Sequence, residues 1–327
     1  MKKIFLVLLI SLFALVSCGN NKKDDTKEDN IVNFYMPDGT PALAVASLLE
    51  EGFEYDNKKI EFNLVQASEI AATIVKDSCD IAICPTTAAA QIKNAGTDIK
   101  LLSNNVFGNL YIVTTGNSSS LEDLKGKIVY TTAATTIQLL QYELTNNNIK
   151  YQNGDTATDG VVTLCSKDSA STIIPLLSQA ASNDVEAIGV LGEPSVTKAM
   201  QLIGSKLKIA VDMQTEYTKI NGTATSKLYP QASIVVKTDF AEENETFILK
   251  LYEKLLTNEN YLISNYSKLN TLLSKYHSTL SGTTFTLETI ERCNVSIKKA
   301  QDDKDYINQY LNNLIHKTMS DDFFYEF

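Results

Sequence analysis

The sequence predicts an α/β protein of two lobes that ends in a helical tail, and three observations support this prediction. Apolar runs with strand character alternate with helical patterns from residue 31 to residue 237. This alternation divides into two series of similar size, which meet near Tyr111 and again near Tyr229. From Asp239 onward, apolar residues recur at helical spacing. With 327 residues, the chain is long enough for two domains.

The first series begins at residue 31, and its strands and helices alternate as in a sheet with helical crossovers. Thr40 is a suitable N-cap, and Pro41 suits the first helical position that follows it. The predicted strands span residues 31–36, 59–65, 80–84, 99–106 and 110–115, and the predicted helices span residues 40–51, 68–76 and 86–95.

The second series follows a turn at residues 116–120 and repeats the same alternation. Its predicted strands span residues 127–131, 161–165, 185–190 and 207–211, and its helices span residues 134–146, 169–181 and 193–203. A polar stretch at residues 214–229 precedes a returning strand at residues 232–237. We therefore assign residues 31–110 and 230–327 to lobe 1 and residues 111–229 to lobe 2.

The tail after Asp239 is predicted to be helical and to pack on lobe 1. The spacing of Asp239 and Glu242 is that of a capping box. Further helices are expected at residues 259–276, 287–299 and 306–319.

The first 17 residues have the pattern of a signal peptide, in which two lysines precede an apolar run. The run ends at Cys18 in a sequence that resembles the lipobox of bacterial lipoproteins. The resemblance implies cleavage just before Cys18 and attachment to its thiol of a diacylglycerol, with acyl chains such as palmitate. The alternative is an ordinary signal peptide with a chance cysteine. Residues 19–30 contain no apolar side chain, so residues 18–30 are expected to form a flexible tether. These features predict a body on the extracytoplasmic face of the cell membrane, anchored through lipid.

Charge and composition exclude several classes of function. The formal net charge of −10 argues against a nucleic-acid partner, which would require a basic surface. Cys79 and Cys84 would lie about 16 Å apart on an extended strand, too far for a disulfide, and no cysteine pair has zinc-site spacing. We therefore expect buried free thiols, no metal and no cofactor.

Motifs for catalysis are also lacking. No nucleophile elbow, P-loop or dinucleotide-binding motif is found, and both histidines, His277 and His316, fall in the tail. Asp38 and Glu193 could in principle form a pair of carboxylates, but Glu193 before Pro194 is more simply the entry to a helix. We expect no catalytic residue.

Four loops follow predicted strands and are rich in proline, threonine and small residues. In open α/β sheets, ligands bind beyond the carboxyl ends of strands, where helix N-termini offer free N–H groups. The loops span residues 36–41, 84–87, 130–136 and 192–195. Each loop alone could simply cap a helix. Four of them in two lobes favour a ligand-binding cleft.

Ordered motifs in this region resemble a known family. The lipobox, MPDGTPALA, DSCDIAICPTTAAAQI, LEDLKGKIVYTTAATT and VEAIGVLGEPSVTKAM together resemble the nitrate/sulfonate/taurine-type solute-binding lipoproteins of ABC importers, a group similar to the thiamine-precursor binders. The resemblance implies a type 2 periplasmic-binding-protein fold, a monomer, a small-molecule solute, and an ABC permease with its ATPase as partners. The ligand-contacting residues that it implies are Pro37, Asp38, Gly39, Thr40, Pro85, Thr86, Thr87, Asn109, Thr131, Thr132, Thr135, Thr136 and Glu193.

One departure from the family concerns charge. Sulfonate binders commonly bring an arginine to the oxyanion, whereas the only arginine here is Arg292, in the tail. An oxyanion would have to be held by N–H groups, hydroxyls or a lysine such as Lys167, and a neutral or cationic heterocycle stays possible. Two other classes remain as alternatives. One is an enzyme on the same scaffold, for instance a pyrimidine-synthesising relative, for which the sequence offers only Cys84 and distant histidines. The other is a non-transport surface lipoprotein without a deep cleft.

Overall fold

The computed structural model describes residues 30–132, 135–221 and 228–327, and its strands form two separate sheets. The strands are β1 (Ile31–Pro37), β2 (Glu54–Tyr55), β3 (Lys58–Val65), β4 (Ile81–Pro85), β5 (Ile99–Phe107), β6 (Leu110–Thr114), β7 (Ile128–Thr132), β8 (Tyr151–Asn153), β9 (Val162–Lys167), β10 (Ile188–Gly192), β11 (Lys208–Asp212), β12 (Pro230–Lys237) and β13 (Val295–Lys299).

Fourteen α-helices occur in the described residues. They are α1 (Thr40–Leu43), α2 (Ala46–Glu51), α3 (Ile70–Ile74), α4 (Thr86–Asn94), α5 (Thr135–Asn146), α6 (Ala170–Ser182), α7 (Ser195–Ile203), α8 (Met213–Asn221), α9 (Thr238–Glu243), α10 (Glu245–Leu255), α11 (Asn258–Asn265), α12 (Leu269–Ser274), α13 (Leu287–Cys293) and α14 (Lys304–Ile315).

The order of the strands separates two units along the chain. The first sheet has the order β13-β5-β12-β4-β1-β3-β2, and the second has the order β11-β6-β10-β7-β9-β8. We call the first sheet with its helices the first unit, and the second sheet with its helices the second unit. Leu110 already pairs with Gly192 in the second sheet. The exact division of the chain into two lobes stays a prediction.

The cores explain why these runs form strands and helices. Apolar residues fill four buried clusters, and β4 is buried on both of its faces as a central strand should be. α14 contributes to both units, because Ile307 and Leu311 pack with α4 and β4, whereas Tyr310 and Leu314 pack with α5 and β6. The predicted α/β fold of two parts, with a mainly helical tail on the first part, is confirmed.

Several predictions were wrong in detail. The N-cap of α1 is Gly39 and not Thr40, and α9 starts at Thr238 without a side-chain cap from Asp239. The helix predicted at residues 259–276 is divided into α11 and α12. The helix predicted at residues 40–51 is divided into α1 and α2 at Ala44 and Val45. The polar stretch at residues 214–229 contains α8. The helix predicted at residues 287–299 ends at Cys293, because Asn294 has a φ of 48°, and the chain continues as β13 beside β5.

The predicted signal peptide, the lipidation site Cys18 and the tether up to residue 29 lie outside the described residues. Among the helices that the structure describes, none is long and apolar enough to cross a membrane. The prediction of buried free thiols is confirmed for Cys79, Cys84, Cys165 and Cys293.

Candidate ligand site between the two sheets

Two predicted site residues form a direct contact between the two units. Thr87 lies in the first turn of α4, and Thr135 is the first residue of α5. Their hydroxyl oxygens are 2.6 Å apart, and both side chains are buried. The N-termini of two helices from different sheets therefore meet at this pair.

A second contact between the units joins three predicted residues. The Thr40 hydroxyl, at the start of α1, donates to the backbone carbonyl of Glu193, which directly follows β10. The side-chain amide of Asn109, between β5 and β6, donates to Thr40 Oγ1 at 2.8 Å and lies 3.4 Å from the same carbonyl. Thr40, Asn109 and Glu193 are all buried. Both contacts consist of small polar groups, which could exchange partners with a bound molecule.

A third group of polar side chains lies within the first unit and joins the start of α4 to β12 and β5. Thr86 Oγ1 is 2.8 Å from Ser233 Oγ, and this hydroxyl donates to Asn104 Oδ1 at 2.8 Å. All three side chains are fully buried. Ser233 and Asn104 were missed from the sequence, although both lie on strands that the sequence predicts.

Asn105, which follows Asn104 on β5, has an unusual backbone pairing and an unpaired side chain. β12 pairs through Ala232 with Val106 and through Ser233 with Asn104, so Asn105 is the extra residue of a bulge. Its side chain is fully buried, and neither its amide nitrogen nor its oxygen has a hydrogen-bond partner among the described residues. Buried polar atoms are normally paired, so this carboxamide is a candidate binding group. The sequence signal was a run of three polar residues, Ser103 to Asn105, inside an apolar strand.

The remaining threonines form contacts within their own loop. Thr132 Oγ1 donates to Thr136 Oγ1 at 3.0 Å, and Thr131 Oγ1 donates to the Thr132 carbonyl at 3.1 Å. This loop connects β7 to α5, and residues 133 and 134 within it lie outside the described residues. Thr131 and Thr136 are buried, and Thr132 is half-buried.

The loop after β1 faces the tail. The Asp38 carboxylate accepts hydrogen bonds from the Ser278 hydroxyl and from the backbone and hydroxyl of Thr279, the last two at 2.7 and 2.6 Å. Gly39 has a φ of 128°, which suits glycine and carries the chain into α1. Pro37 and Pro85 are the last residues of β1 and β4. The Asp38 carboxylate therefore holds this loop against the tail.

The Glu193 carboxylate is also bound, and its main partner is the single arginine. Arg292 Nε donates to Glu193 Oε1 at 2.6 Å, and the backbone N–H of Thr197 donates to Oε2 at 3.0 Å. The expectation that Glu193 begins a helix is therefore supported, since its carboxylate accepts from the first turn of α7. Arg292 lies in the tail in sequence but contacts a predicted site residue through this pair. Asp38 and Glu193 have separate partners, which does not support a pair of carboxylates.

Lys167 provides a positive charge on the second sheet. It is the last residue of β9 and pairs in register with Thr132. Its ammonium lies 5.4 Å from the centroid of the Tyr130 ring. Across residues 30–132, 135–221 and 228–327, no group of three histidine, cysteine or acidic side chains could hold a metal ion.

Comparison with known proteins finds similar structures but no matching family model and no matching curated sequence. No protein-family model matches the chain, and no curated protein matches its sequence. An ABC transporter from Parabacteroides distasonis is 21% identical, with a TM-score of 0.71 over 91% of this chain and 99% of that chain. The periplasmic aliphatic sulphonate binding protein SsuA from Escherichia coli is 14% identical, with a TM-score of 0.65 over 91% and 92% of the two chains.

A third solved structure has the same architecture. The ligand binding component of an ABC-type import system from Staphylococcus aureus, with zinc bound, is 11% identical to this chain. Its TM-score is 0.61 over 90% of this chain and 96% of that chain. The resemblance noted in the sequence motifs is thus confirmed at the level of the fold. The chain has the two-lobed α/β fold of ABC-transporter solute-binding proteins.

Proposed function

We propose that this protein is the extracytoplasmic solute-binding component of an ABC importer. It captures a small nitrogen- or sulfur-containing solute, or a heterocycle, by closure of its two lobes and delivers this solute to a membrane permease. The observation that carries the proposal is the meeting of Thr87 with Thr135 and of Thr40 with Glu193 across the two units. Such hydroxyl contacts can form, break and re-form around a ligand at little net cost.

The mechanism is a shift of population between open and closed arrangements. The solute binds groups from both units, so it has a higher affinity for the arrangement in which the units are close together. Closure then presents one defined surface to the permease, and release depends on that partner. No covalent step is needed. We also propose that the protein acts as a monomer, anchored through Cys18 on the outer face of the cell membrane.

The chemistry of the site restricts the solute class. Asn105 offers one acceptor and two donors, and Asn104 Nδ2 has no hydrogen-bond partner in the described part of the chain. These carboxamides suit a planar solute that both donates and accepts hydrogen bonds. Arg292 is already paired with Glu193, so an oxyanion would depend on backbone N–H groups, hydroxyls or Lys167. A neutral or cationic heterocycle is the better fit.

The enzyme alternative has little support from Cys84. This thiol is fully buried, and burial raises its pKa, which disfavours the thiolate that acts as a nucleophile. We therefore propose binding without turnover.

The test is a screen of small solutes by thermal shift, followed by calorimetry on variants. We expect at least one solute to raise the melting temperature, since a bound ligand stabilises by mass action. N105L should weaken binding of this solute by about tenfold or more, because it removes a buried amide that pairs with the ligand. T87V should weaken it as well.

The matched control is T73V. Thr73 is also buried, but its hydroxyl donates to the Glu69 carbonyl within the first unit. T73V should leave the affinity unchanged. The proposal fails if no solute from a broad panel stabilises the protein, or if N105L binds the solute as tightly as the wild type.

A further inference from the structure

A buried carboxyl group lies on α5, away from the threonine contacts described above. Glu143 follows Thr135 by eight residues on this helix, and its side chain is fully buried. Neither of its oxygens has a hydrogen-bond partner among the described residues. Leaving such a group unpaired in the interior costs several kcal/mol if it is charged.

Tyrosine rings pack in the same core as the helix that carries this carboxyl group. We call Tyr217, Tyr229 and Tyr310 the tyrosine cluster, and the Glu143 carboxyl interacts electrostatically with all three phenols. The Tyr229 and Tyr310 rings are stacked with centroids 5.8 Å apart. Tyr217 meets these two rings edge-on, with centroids 5.3 and 6.0 Å away.

The hydroxyl groups of the cluster differ in their partners. Tyr310 Oη is buried and has no hydrogen-bond partner in the described part of the chain. Tyr229 Oη is likewise buried without a hydrogen-bond partner in the described residues. In contrast, Tyr217 Oη accepts from Asn313 Nδ2 at 3.2 Å, and the hydroxyl of Tyr142, a ring beside the cluster, donates to Asn221 Oδ1 at 3.0 Å. The unpaired polar groups are thus Glu143, Tyr229 and Tyr310.

The charges around Glu143 are negative. Burial raises the pKa of Glu143 well above its ordinary value, and the neighbouring carboxylates Glu216 and Asp212 raise it further. No lysine or arginine in the described residues forms an ion pair with it. A proton would remove the charge but would leave the oxygens without hydrogen bonds. A cation with several N–H groups would satisfy both needs.

We propose that Glu143 and the tyrosine cluster form a binding site for a primary ammonium group. Its N–H groups donate to the two Glu143 oxygens and to Tyr310 Oη, and its charge is stabilised by the faces of the tyrosine rings. A divalent metal ion fits less well, because no group of three histidine, cysteine or acidic side chains in the described part of the chain could hold one. The site does not depend on the proposed function.

The position of the site links it to both units. Glu143 belongs to α5 of the second unit, Tyr310 to α14 of the tail, and Tyr229 immediately precedes β12 of the first sheet. Tyr229 is also close to Gly108, between β5 and β6. A bound amine would therefore hold together segments on either side of the two chain crossings.

The test is calorimetric titration with methylammonium chloride, with sodium chloride at the same ionic strength as the blank. We expect saturable binding that E143Q weakens at least tenfold and Y310F weakens severalfold. Y142F should leave binding unchanged, since its hydroxyl bonds Asn221 instead. Far-UV circular dichroism and thermal unfolding of each variant show whether it is folded.

A second readout follows the proton. Glu143 must ionise to pair with the cation, so the wild type should release up to one proton on binding, and E143Q should release none. This is measured as the dependence of the binding heat on the ionisation enthalpy of the buffer. N105L should bind methylammonium as the wild type does, even if it loses the transported solute.

Three outcomes would overturn the inference. One is heat from methylammonium equal to that from sodium chloride, which would mean that Glu143 holds only a proton. A second is that Y310F and Y142F bind methylammonium equally well and that the wild type releases no proton on binding. The third is loss of methylammonium binding in N105L, which would place the amine at the contacts between the sheets.

Discussion

Glu186 shows how a single residue can be held by several donors at once. It lies just before β10, and its Oε1 accepts from Thr114 Oγ1 at 3.0 Å and from the backbone and hydroxyl of Ser118 at 2.9 and 2.8 Å. Lys127 Nζ lies 2.6 Å from Oε2. Partial burial acts to raise the pKa of this carboxyl, but the hydrogen bonds from Lys127, Ser118 and Thr114 outweigh it and lower the pKa to about 2.

We expect E186Q to lower the free energy of unfolding by about 2 kcal/mol at pH 7. A lowered pKa means that Glu186 stabilises the fold above its ordinary value of 4.5 and loses this effect as the pH falls towards about 2. The difference between the two proteins should therefore shrink as urea unfolding is repeated from pH 7 to pH 3.

The control is E122Q. Glu122 forms an exposed pair with Lys125, and such pairs contribute about 0.5 kcal/mol or less. Equal effects of the two substitutions, or a difference that grows in acid, would contradict the account of Glu186.

The candidate site was only partly predictable from its residues. Threonines and prolines after strands mark helix entries, and this local rule placed Thr40, Thr87 and Thr135 at contacts between the units. A contact between side chains that lie far apart in the sequence leaves no such local pattern. Glu193 and Arg292 are 99 residues apart, so their ion pair could not be read from either neighbourhood. Asn105 was missed because strand patterns do not show a bulge.

At the scale of elements, the segment between β5 and β6 is tightly packed. A Cβ on Gly108 would lie 1.9 Å from Gln214 Oε1 and 2.7 Å from the Tyr229 ring. Gln214 Oε1 in turn accepts the backbone N–H of Tyr229 at 3.0 Å. Glycine is thus required at this position because Gln214 and Tyr229 pack directly against its backbone. The first chain crossing, between β5 and β6, therefore packs against the second crossing, which leads into β12.

We expect G108A to destabilise the protein by about 1–3 kcal/mol, because a methyl group must displace Gln214 or Tyr229. Under the proposed function it should also alter solute affinity, since both crossings shift together. The measurement is urea unfolding with calorimetry of the solute.

G154A is the matched control. A Cβ there would meet only a methyl group of Thr163 at 3.8 Å, so stability should change by less than about 0.5 kcal/mol. If G108A were as stable as G154A, the two chain crossings would not be closely packed at Gly108.

Periodicity predicted the positions of most strands and helices, because each element carries its own apolar pattern. The exception at β13 has a physical reason. Asn294 takes a left-handed conformation that ends α13, and the following residues pair with β5, a strand almost 190 positions earlier. Strand pairing over such a separation depends on the partner and not on the segment itself.

At the scale of the whole molecule, the tail touches the second unit as well as the first. Arg292 Nη2 donates to Thr197 on α7 at 3.0 Å, in addition to its ion pair with Glu193. Lys198 and Gln201 on the same helix bond the backbone of the tail at residues 279 and 284, each at 2.6 Å. These contacts tie α7 to the segment that ends in α13.

We expect R292Q to favour an open arrangement of the units. It leaves the buried Glu193 carboxylate without its cation, and loss of one partner of a buried pair is costly. Solute affinity should fall about tenfold, and the radius of gyration without solute should rise in small-angle scattering.

K304Q serves as the control, because Lys304 pairs with Asp321 at an exposed site in the tail. It should change neither quantity. If R292Q kept the affinity and the radius of the wild type, the tail would not hold the units together.

The place of β12 in the first sheet has a consequence for how the chain acquires its structure during synthesis. β5 reaches β4 only through β12, which is made after the whole second sheet. The second sheet is continuous in sequence from Leu110 to Asp212 and can be completed first. The earliest strands to leave the ribosome must therefore wait, with β4 unprotected along one edge, until residue 237 has emerged.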